Sequence, residues 1–371
     1  MVGSMNETIY MPVGEVCSSI SDTYREKKNM VTLINTSDVL EGRVLNHERV
    51  PNSNLKGQFK KTFQRDDILY SEIRPQNRRF AYVDFSPIDY IASTKLMVIR
   101  AKKDVVSPKY LYYFLKNSST VAELQLLAET RSGTFPQITF SEVANLTIPV
   151  PPLAVQEVIV QTMQCLEDKT ICNEQINDNL QQQAQAIYSS MFIDNPDPAW
   201  SHGHLSDLIT VKYGKDHKKL AEGIYPVYGS GGIMRYVERP LYNKESVLIP
   251  RKGTLNNVMY VNQPFWSVDT MFYTEMKLPN VAKFVYHFVK AKDLASMNAG
   301  SAVPSMTTDI LNAMEVVIPS ASALEEFESL VAPMYEAMEA NDVQSKALSQ
   351  MRDTLLPKLM SGEIDVSDIQ L

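Results

Sequence analysis

Two polar loops carry the side chains in this chain best suited to reading a nucleic acid. The first is Arg74-Pro-Gln-Asn-Arg-Arg79, which offers Arg74, Gln76, Arg78 and Arg79. The second begins at Arg251 and offers Arg251, Lys252, Thr254, Asn256 and Asn257. A guanidinium is a planar fork of donors that matches guanine O6 and N7 or a pair of phosphate oxygens, and a carboxamide fits an adenine edge. Any one of these residues alone reads equally as a solvated loop. Both loops fall at the same point of a duplicated pattern, and that favours function. Tyr225-Pro-Val-Tyr-Gly-Ser-Gly-Gly232 adds Tyr228, Ser230 and Gly231, in a glycine-rich segment whose backbone can approach a phosphate or a groove closely. It has neither the Lys-Ser/Thr end of a phosphate-binding loop nor the spacing of a dinucleotide fingerprint. The loop Arg131–Gln137 contributes Thr134 and Gln137 to the same candidate set.

The other reactive side chains do not assemble into a centre. His47, His202, His204, His217 and His287 are scattered, and the close pair His202-Gly-His204 has no cysteine or carboxylate cluster to complete a metal site. Cys165 and Cys172, seven residues apart, fall on one helix face and read as packing. Asn195-Pro-Asp-Pro198 superficially resembles the Asn-Pro-Pro-aromatic loop of amino-methyltransferases. The aromatic residue is absent, no glycine-rich cofactor loop precedes it, and it reads as a linker. No nucleophile elbow, zinc-protease helix or nuclease-like carboxylate cluster is found, so neither a catalytic nor a metal site is expected in this chain.

Net charge is −7, which by itself argues against a polyanionic partner. Its distribution argues the reverse. Residues 1–152 carry +3 and residues 200–319 carry +3, whereas residues 153–199 carry −6 and residues 320–371 carry −7. A polyanion would be drawn to the two basic regions and repelled by the two acidic ones. With 371 residues, 44% hydrophobic and 21% charged, the chain is long enough for two or three domains with cores of their own. No apolar run reaches the ~18 residues that would span a bilayer. Three cysteines cannot make a disulfide framework, and a cytoplasmic setting is expected.

The acidic regions are helical in pattern. Ile159, Leu166, Asn173, Leu180 and Ile187 repeat every seven residues, and Phe327, Met334, Asn341, Leu348 and Leu355 repeat the frame 168 residues later. Forty residues of helix would extend roughly 60 Å, beyond the needs of one globular core. Paired antiparallel, the two segments set Ile159 near Leu355, Ile187 near Phe327, and Asn173 against Asn341 at the middle, where a buried amide pair would hold the register. Ser322 with Glu325 suggests a capping box for the second helix, and Pro333 suggests a kink or a delayed start.

The basic regions repeat as well. Strand candidates at Asp67–Ser71 and Lys95–Ile99 are answered by Glu245–Ile249 and Thr270–Tyr273. The helix opened by Ser107-Pro108 is answered by Val281–Val289, and the strand ending in Pro149 by Glu315–Pro319. The expected fold is α/β (α+β): two similar α/β domains separated by two long helices that form an antiparallel coiled coil, with a pseudo-twofold internal repeat.

At three places the chain resembles the specificity (S) subunits of type I restriction–modification systems. These are the ending Met351-Arg-Asp-Thr-Leu-Leu-Pro-Lys-Leu-Met-Ser-Gly-Glu-Ile-Asp365, the junction Leu146-Thr-Ile-Pro-Val-Pro-Pro-Leu153, and Tyr225–Gly232. Phe265-Trp-Ser-Val-Asp-Thr270 is also typical. Val155-Gln156-Glu157 stands where the family often has an acidic-Gln pair, and Ile318-Pro-Ser-Ala-Ser-Ala-Leu324 lacks the second junction's double proline. The resemblance covers the whole chain. It implies target-recognition domains over residues 1–152 and 196–319, and spacer helices over residues 153–195 and 320–371. Each head would read one half of a bipartite site in double-stranded DNA, and the helices would set the spacer. Two methyltransferase (M) subunits and, through them, restriction (R) subunits would be the partners, with no membrane. S-adenosylmethionine, ATP and Mg²⁺ would be bound by those partners and none by this chain. The competing readings are a scaffold of the same fold that reads no sequence, and a free-standing methyltransferase. Footprinting excludes the former if a bipartite sequence is protected; S-adenosylmethionine binding by the isolated chain would favour the latter.

Overall fold

The computed structural model describes residues 8–26, 28–53, 57–130, 136–297 and 305–366. The chain divides into two compact units, one of residues 1–172 with 343–371 and one of residues 173–342. The division cuts each long helix near its middle, so each unit holds one head and a stretch of both helices.

The first unit runs β1 (Ile9–Pro12), α1 (Val13–Val16), β2 (Cys17–Ile20), β3 (Met30–Ile34), β4 (Val39–Leu40), β5 (Arg43–Val44), β6 (Arg49–Pro51), β7 (Phe59–Lys61), β8 (Ile68–Ser71), β9 (Phe80–Tyr82), β10 (Tyr90–Ser93) and β11 (Leu96–Ala101). Helices α2 (Pro108–Lys116), α3 (Ser118–Thr130) and α4 (Phe140–Asn145) and strand β12 (Thr147–Val150) lead into the long helix α5 (Leu153–Ser189). The second unit runs β13 (Ser201–His204), α6 (Leu205–Leu208), β14 (Ile209–Tyr213), β15 (Tyr225–Gly229), β16 (Gly232–Val237), β17 (Ser246–Pro250), β18 (Met259–Val261), β19 (Trp266–Ser267) and β20 (Met271–Met276). It continues with α7 (Ala282–Lys290), α8 (Thr308–Asn312) and β21 (Glu315–Ile318), and ends in α9 (Ala321–Ser361).

The two heads share one wiring. The main sheet is ordered β2-β11-β8-β9 in the first and β14-β20-β17-β18 in the second, antiparallel throughout. A two-stranded antiparallel pair closes each head, β1 with β12 and β13 with β21. A second sheet contains a parallel pair in each, β3 with β10 and β15 with β19. Among the described residues helix α3 has no counterpart in the second head.

The inner strands β8, β11 and β17 read as nearly unbroken apolar runs because both faces are covered. Side chains alternate across a strand, and here the alternation sorts them into two cores. Ile68 and Tyr70 of β8 pack with helix α2, while Leu69 packs with Ile34 and Ala92 of the second sheet. In the second head Val247 and Ile249 join helix α7, and Leu248 joins Val227 and Trp266.

Helices α5 and α9 pair antiparallel in both units. In the first, Ile159 and Met163 share a core with Leu355, Leu356 and Leu359, and Arg352 lies 3.8 Å from Glu167. In the second, Ile187, Tyr188 and Phe192 pack with Phe327. The heads grip this pair with polar contacts. Glu167 of α5 accepts from Tyr113 at 3.0 Å and pairs with Lys116. Gln156, wholly buried, accepts from the Ser107 amide at 2.8 Å and donates to the carbonyls of Pro151 and Val105. In the second head His287 bridges Gln185 at 2.8 Å and Tyr335 at 2.9 Å, and Lys283 reaches Glu328 at 2.5 Å and Glu245 at 3.1 Å.

Of four local expectations two hold in place and two need correction. Asn173 and Asn341 meet near the middle of the helix pair, as expected. The Asn173 amide donates to the Asn341 backbone carbonyl at 3.4 Å, and the Asn341 amide donates to Asn177 at 2.8 Å, because the residue one turn along faces it better than the residue opposite. The cap of α9 is Ser320, whose hydroxyl accepts from the Ala323 amide at 3.3 Å; Ser322 already lies inside the helix. Ser107 stands at the N-cap of α2 with Pro108 at N1, but its side chain makes no cap bond, and its backbone amide donates to Gln156. Pro333 neither interrupts α9 nor delays its start, as the helix is continuous from Ala321; the loss is one backbone bond, and the packing of Phe327, Val331 and Tyr335 offsets it.

Candidate nucleic-acid interface

In each head the basic loop leaves the end of the central strand and is tied to the loop that precedes α4 or α8. In the first head Ile73 bridges to Gln137, and the Ile138 amide donates to the Glu72 carbonyl at 2.9 Å. In the second, Lys252 bridges to Ser305, and the Met306 amide donates to the Arg251 carbonyl at 2.9 Å. The same two loops are thus joined by the same backbone contacts twice. Thr134 and residues 298–304 lie outside the described residues.

The first basic loop is a short 3₁₀ turn, Pro75–Asn77, flanked by Arg74 and Arg78 in left-handed conformations, φ 47° and 51°. Such backbone costs of order 1–3 kcal/mol for a residue other than glycine, and it persists where surroundings impose it. Helix α3 supplies part of those surroundings: Gln125 accepts from the Gln76 amide at 3.2 Å, and Ser118 accepts from Arg78 at 2.8 Å. Arg79 donates to the carbonyls of Ser37 at 3.0 Å and Val39 at 3.4 Å. Gln137 accepts from Lys95 at 3.4 Å. The side chains of Arg74 and Gln76 are exposed.

The second basic loop is held from three sides. Arg251 donates to the Asp269 carbonyl at 3.3 Å and lies 5.3 Å from the centre of the Tyr213 ring. Asn257 donates to the Ser230 carbonyl at 2.8 Å, which fastens the loop to the glycine-rich turn. Asn256 donates to Asp293 at 3.0 Å and accepts from the Ala295 amide at 3.0 Å; the bond from Asn256 is the main reason the Asp293 carboxyl lies below its usual range. Tyr228 is buried, its hydroxyl 3.3 Å from the Gln263 amide. Lys252, Thr254 and Gly231 are exposed, and Ser230 is half-buried.

The candidate residues therefore separate into those that shape the loops and those that project. Arg79, Asn256, Asn257 and Tyr228 bind other parts of their own head. Gln76, Lys252 and Thr254 face solvent from a braced backbone, and Arg74 is exposed beside them. The opposite end of the first main sheet is also charged, but there the charges are matched: Arg100 clasps Asp67 with two bonds of 2.7 Å, and Lys103 binds Asp66 at 2.6 Å.

A further basic loop lies in the second head. Lys215, Lys218 and Lys219 are exposed on the segment between β14 and β15. Gly214, where this segment starts, lies so tightly against the Ser267-Val268 backbone that a Cβ would come within 2.0 Å of the Val268 carbonyl oxygen. The Trp266 indole donates to the Lys215 carbonyl at 2.9 Å. The basic run Lys215-Asp-His-Lys-Lys219 is plain in the sequence, whereas the bond that places it, from Trp266 to Lys215, is long-range.

Among the described residues no helix is long and apolar enough to cross a membrane, and no group of three His, Cys, Asp or Glu side chains could hold a metal. The HindI type I specificity subunit of Haemophilus influenzae is 27% identical over 90% of this chain and 94% of its own length. The MjaIX type I specificity subunit of Methanocaldococcus jannaschii is 24% identical over 76% of this chain and 77% of its own. A crystal structure of a type I restriction-modification S subunit from M. genitalium shares the fold, with a TM-score of 0.55 and 17% identity over 97% of this chain and 98% of that one. So does a chain from a structure describing complex assembly and conformational transition of the type I R-M system, at 0.52 and 14% over 96% and 98%. The model of the type I restriction modification DNA specificity domain matches residues 9–182 and 199–327, both heads with most of α5 and the start of α9, and this chain belongs to that family of specificity subunits.

Proposed function

We propose that each head reads one half of a bipartite site in double-stranded DNA, and that the paired helices α5 and α9 set the unspecified spacer between the halves. The observation that carries this reading is the duplicated loop pair: a basic loop bridged to the same second loop, by the same two backbone contacts, in both heads. Exposed cations there can neutralise phosphates, and braced amide and guanidinium groups can meet base edges. The acidic helices repel DNA and suit docking to subunits that bring positive charge. Two methyltransferase subunits, and restriction subunits through them, are the partners in this reading. S-adenosylmethionine, ATP and Mg²⁺ belong to those partners, and this chain supplies recognition without catalysis. Residues 1–152 and 196–319 act as the recognition domains and the helical segments as the ruler.

A matched insertion tests the ruler. Seven residues added between Thr170 and Gln181, with seven more in the facing stretch between Tyr335 and Gln344, lengthen the pair by roughly 10 Å, about three base pairs at 3.4 Å each. Sequencing of modified bases in cells expressing the complex should show both half-sites unchanged and the spacer longer. Altered half-sites around an unchanged spacer would sink the assignment.

A further inference from the structure

In the second unit β16 is an edge strand, beside β15 in the order β16-β15-β19. It leaves the turn at Gly232, whose φ of +110° suits glycine. Tyr228 pairs with Ile233 and Val227 with Arg235, so Met234 is the extra residue of a bulge. Bulges re-aim a side chain and are enriched beside functional sites. Three apolar side chains remain open on this strand: Ile233 is 43% exposed, Met234 60% and Tyr236 42%. Met234 is seated nonetheless. Its sulfur lies over Gly229, where a Cβ would come within 2.5 Å of it.

Basic loops close on this strand from both ends. At the turn, Asn257 holds the Ser230 carbonyl, and Gly253 packs so closely that a Cβ would come within 2.7 Å of the Ser230 hydroxyl oxygen. That contact brings the exposed Lys252 to the tip. Farther along, Arg235 donates to the Leu220 carbonyl at 2.8 Å and the Glu238 amide to the Ala221 carbonyl at 3.1 Å. Those bonds attach β16 to the loop that presents Lys215, Lys218 and Lys219.

Strands of a sheet can read the major groove of B-form DNA. Ammonium groups beside it meet phosphates as point charges, and an apolar strand between them needs an apolar feature on the base edges. In that groove the 5-methyl group of thymine is the apolar feature. Resting on the reading of this head as a half-site reader, we propose that β16 recognises thymine through its 5-methyl group, with Met234 as the contacting side chain and Ile233 beside it. Lys215, Lys218 and Lys219 hold the flanking phosphates.

The test uses the full chain in its assembled complex. Each thymine of the bipartite site is replaced in turn by deoxyuridine, which removes one methyl group and leaves base pairing intact. Wild type should lose about four-fold in affinity at one or two positions of one half-site, the value of one buried methyl-sized group. Met234→Ala should bind thymine DNA equally weakly and no longer distinguish thymine from uracil there; Met234→Gln, of similar length, serves if the alanine variant misfolds. Lys218→Ala with Lys219→Ala should weaken binding to every sequence alike and flatten its salt dependence. Indifference of wild type to every thymine-to-uracil change overturns the proposal. So does a half-site pair without thymine, or full discrimination retained by both Met234 variants. If wild type prefers no sequence at all, the half-site reading itself has failed.

Discussion

The Asn173 side-chain amide points at the backbone carbonyl of Asn341 at 3.4 Å, and the Asn341 side-chain amide donates to Asn177 at 2.8 Å. Asn177 in turn donates to Asp342 at 2.9 Å and to the Met338 carbonyl at 3.2 Å. Register at this point of the helix pair is therefore held by a polar cluster spread over one turn. Removing either end of the Asn177–Asn341 bond should lower stability by about 1 kcal/mol. A double-mutant cycle of Asn177→Ala and Asn341→Ala should give a coupling of about 0.5–1.5 kcal/mol. Strict additivity in denaturant unfolding would show that this bond contributes nothing to the pairing.

Burial pushes the His287 imidazole down to about 4 from an ordinary 6.5, and the ring lies between Gln185 and Tyr335 with Tyr188 stacked on it. Between these values the unfolded chain binds a proton that the folded chain excludes. The stability associated with the neutral ring is thus complete above pH ~6.5 and is lost as pH falls toward 4, by of order 3 kcal/mol over the window. Denaturant midpoints measured from pH 7 to pH 4 should fall accordingly. In His287→Gln the share of that slope due to this ring should vanish, and an unchanged slope would place the sensitivity elsewhere.

Lys283 is nearly buried, and its ammonium group contacts Glu245 and Glu328 while lying 5.1 Å from the Tyr260 ring and 5.5 Å from the Tyr335 ring. Lys283→Met removes the cation and leaves two carboxylates against aromatic rings. Since both carboxylates are partly solvated, a loss of roughly 2 kcal/mol is expected. Thermal unfolding reads it out, and Glu328→Gln in the same background should recover part of it. No recovery would mean that packing, not charge, is what Lys283 provides.

Lys252 and Asn256 should separate contact from support, although they stand four residues apart. Lys252→Ala should weaken DNA binding across sequences, lower the salt slope by about one and leave unfolding unchanged. Asn256→Ala loses the bonds to Asp293 and Ala295 and should cost about 1 kcal/mol of stability. Arg251→Ala should affect both readouts, because the guanidinium also lies against Tyr213 and Asp269. An inert Lys252→Ala variant would take that loop out of the interface.

Where the fold depends on periodicity, it was legible in the sequence. The heptads of α5 and α9 read directly, as did the apolar runs of β8 and β17, because a buried stripe or a doubly covered strand leaves its spacing in the chain. Polar residues with distant partners were not legible. Gln156 appears as an ordinary helix residue until Ser107 and Val105 are brought beside it, and His287 as a stray histidine until Gln185 and Tyr335 enclose it. The same limit explains the interface. The basic character of Arg74–Arg79 and Arg251–Asn257 is local, but which side chains are spent on bracing is decided by Ser118, Ser37, Ser230 and Asp293. The place of Lys215–Lys219 is likewise set by distant partners, the Trp266 indole and the Ser267 carbonyl that hold Lys215.

The split of the units bears on how the chain is made. Residues 173–342 form one contiguous stretch and can complete their packing as they leave the ribosome. The other unit cannot, since Ile159 and Met163 share a core with Leu356, Leu359 and Met360, synthesised roughly two hundred residues later. At 5–20 residues per second that interval is about 10–40 s. For that time the start of α5 carries an uncovered apolar stripe beside an otherwise finished head, which makes the nascent chain, and not the mature protein, the form most in need of a chaperone.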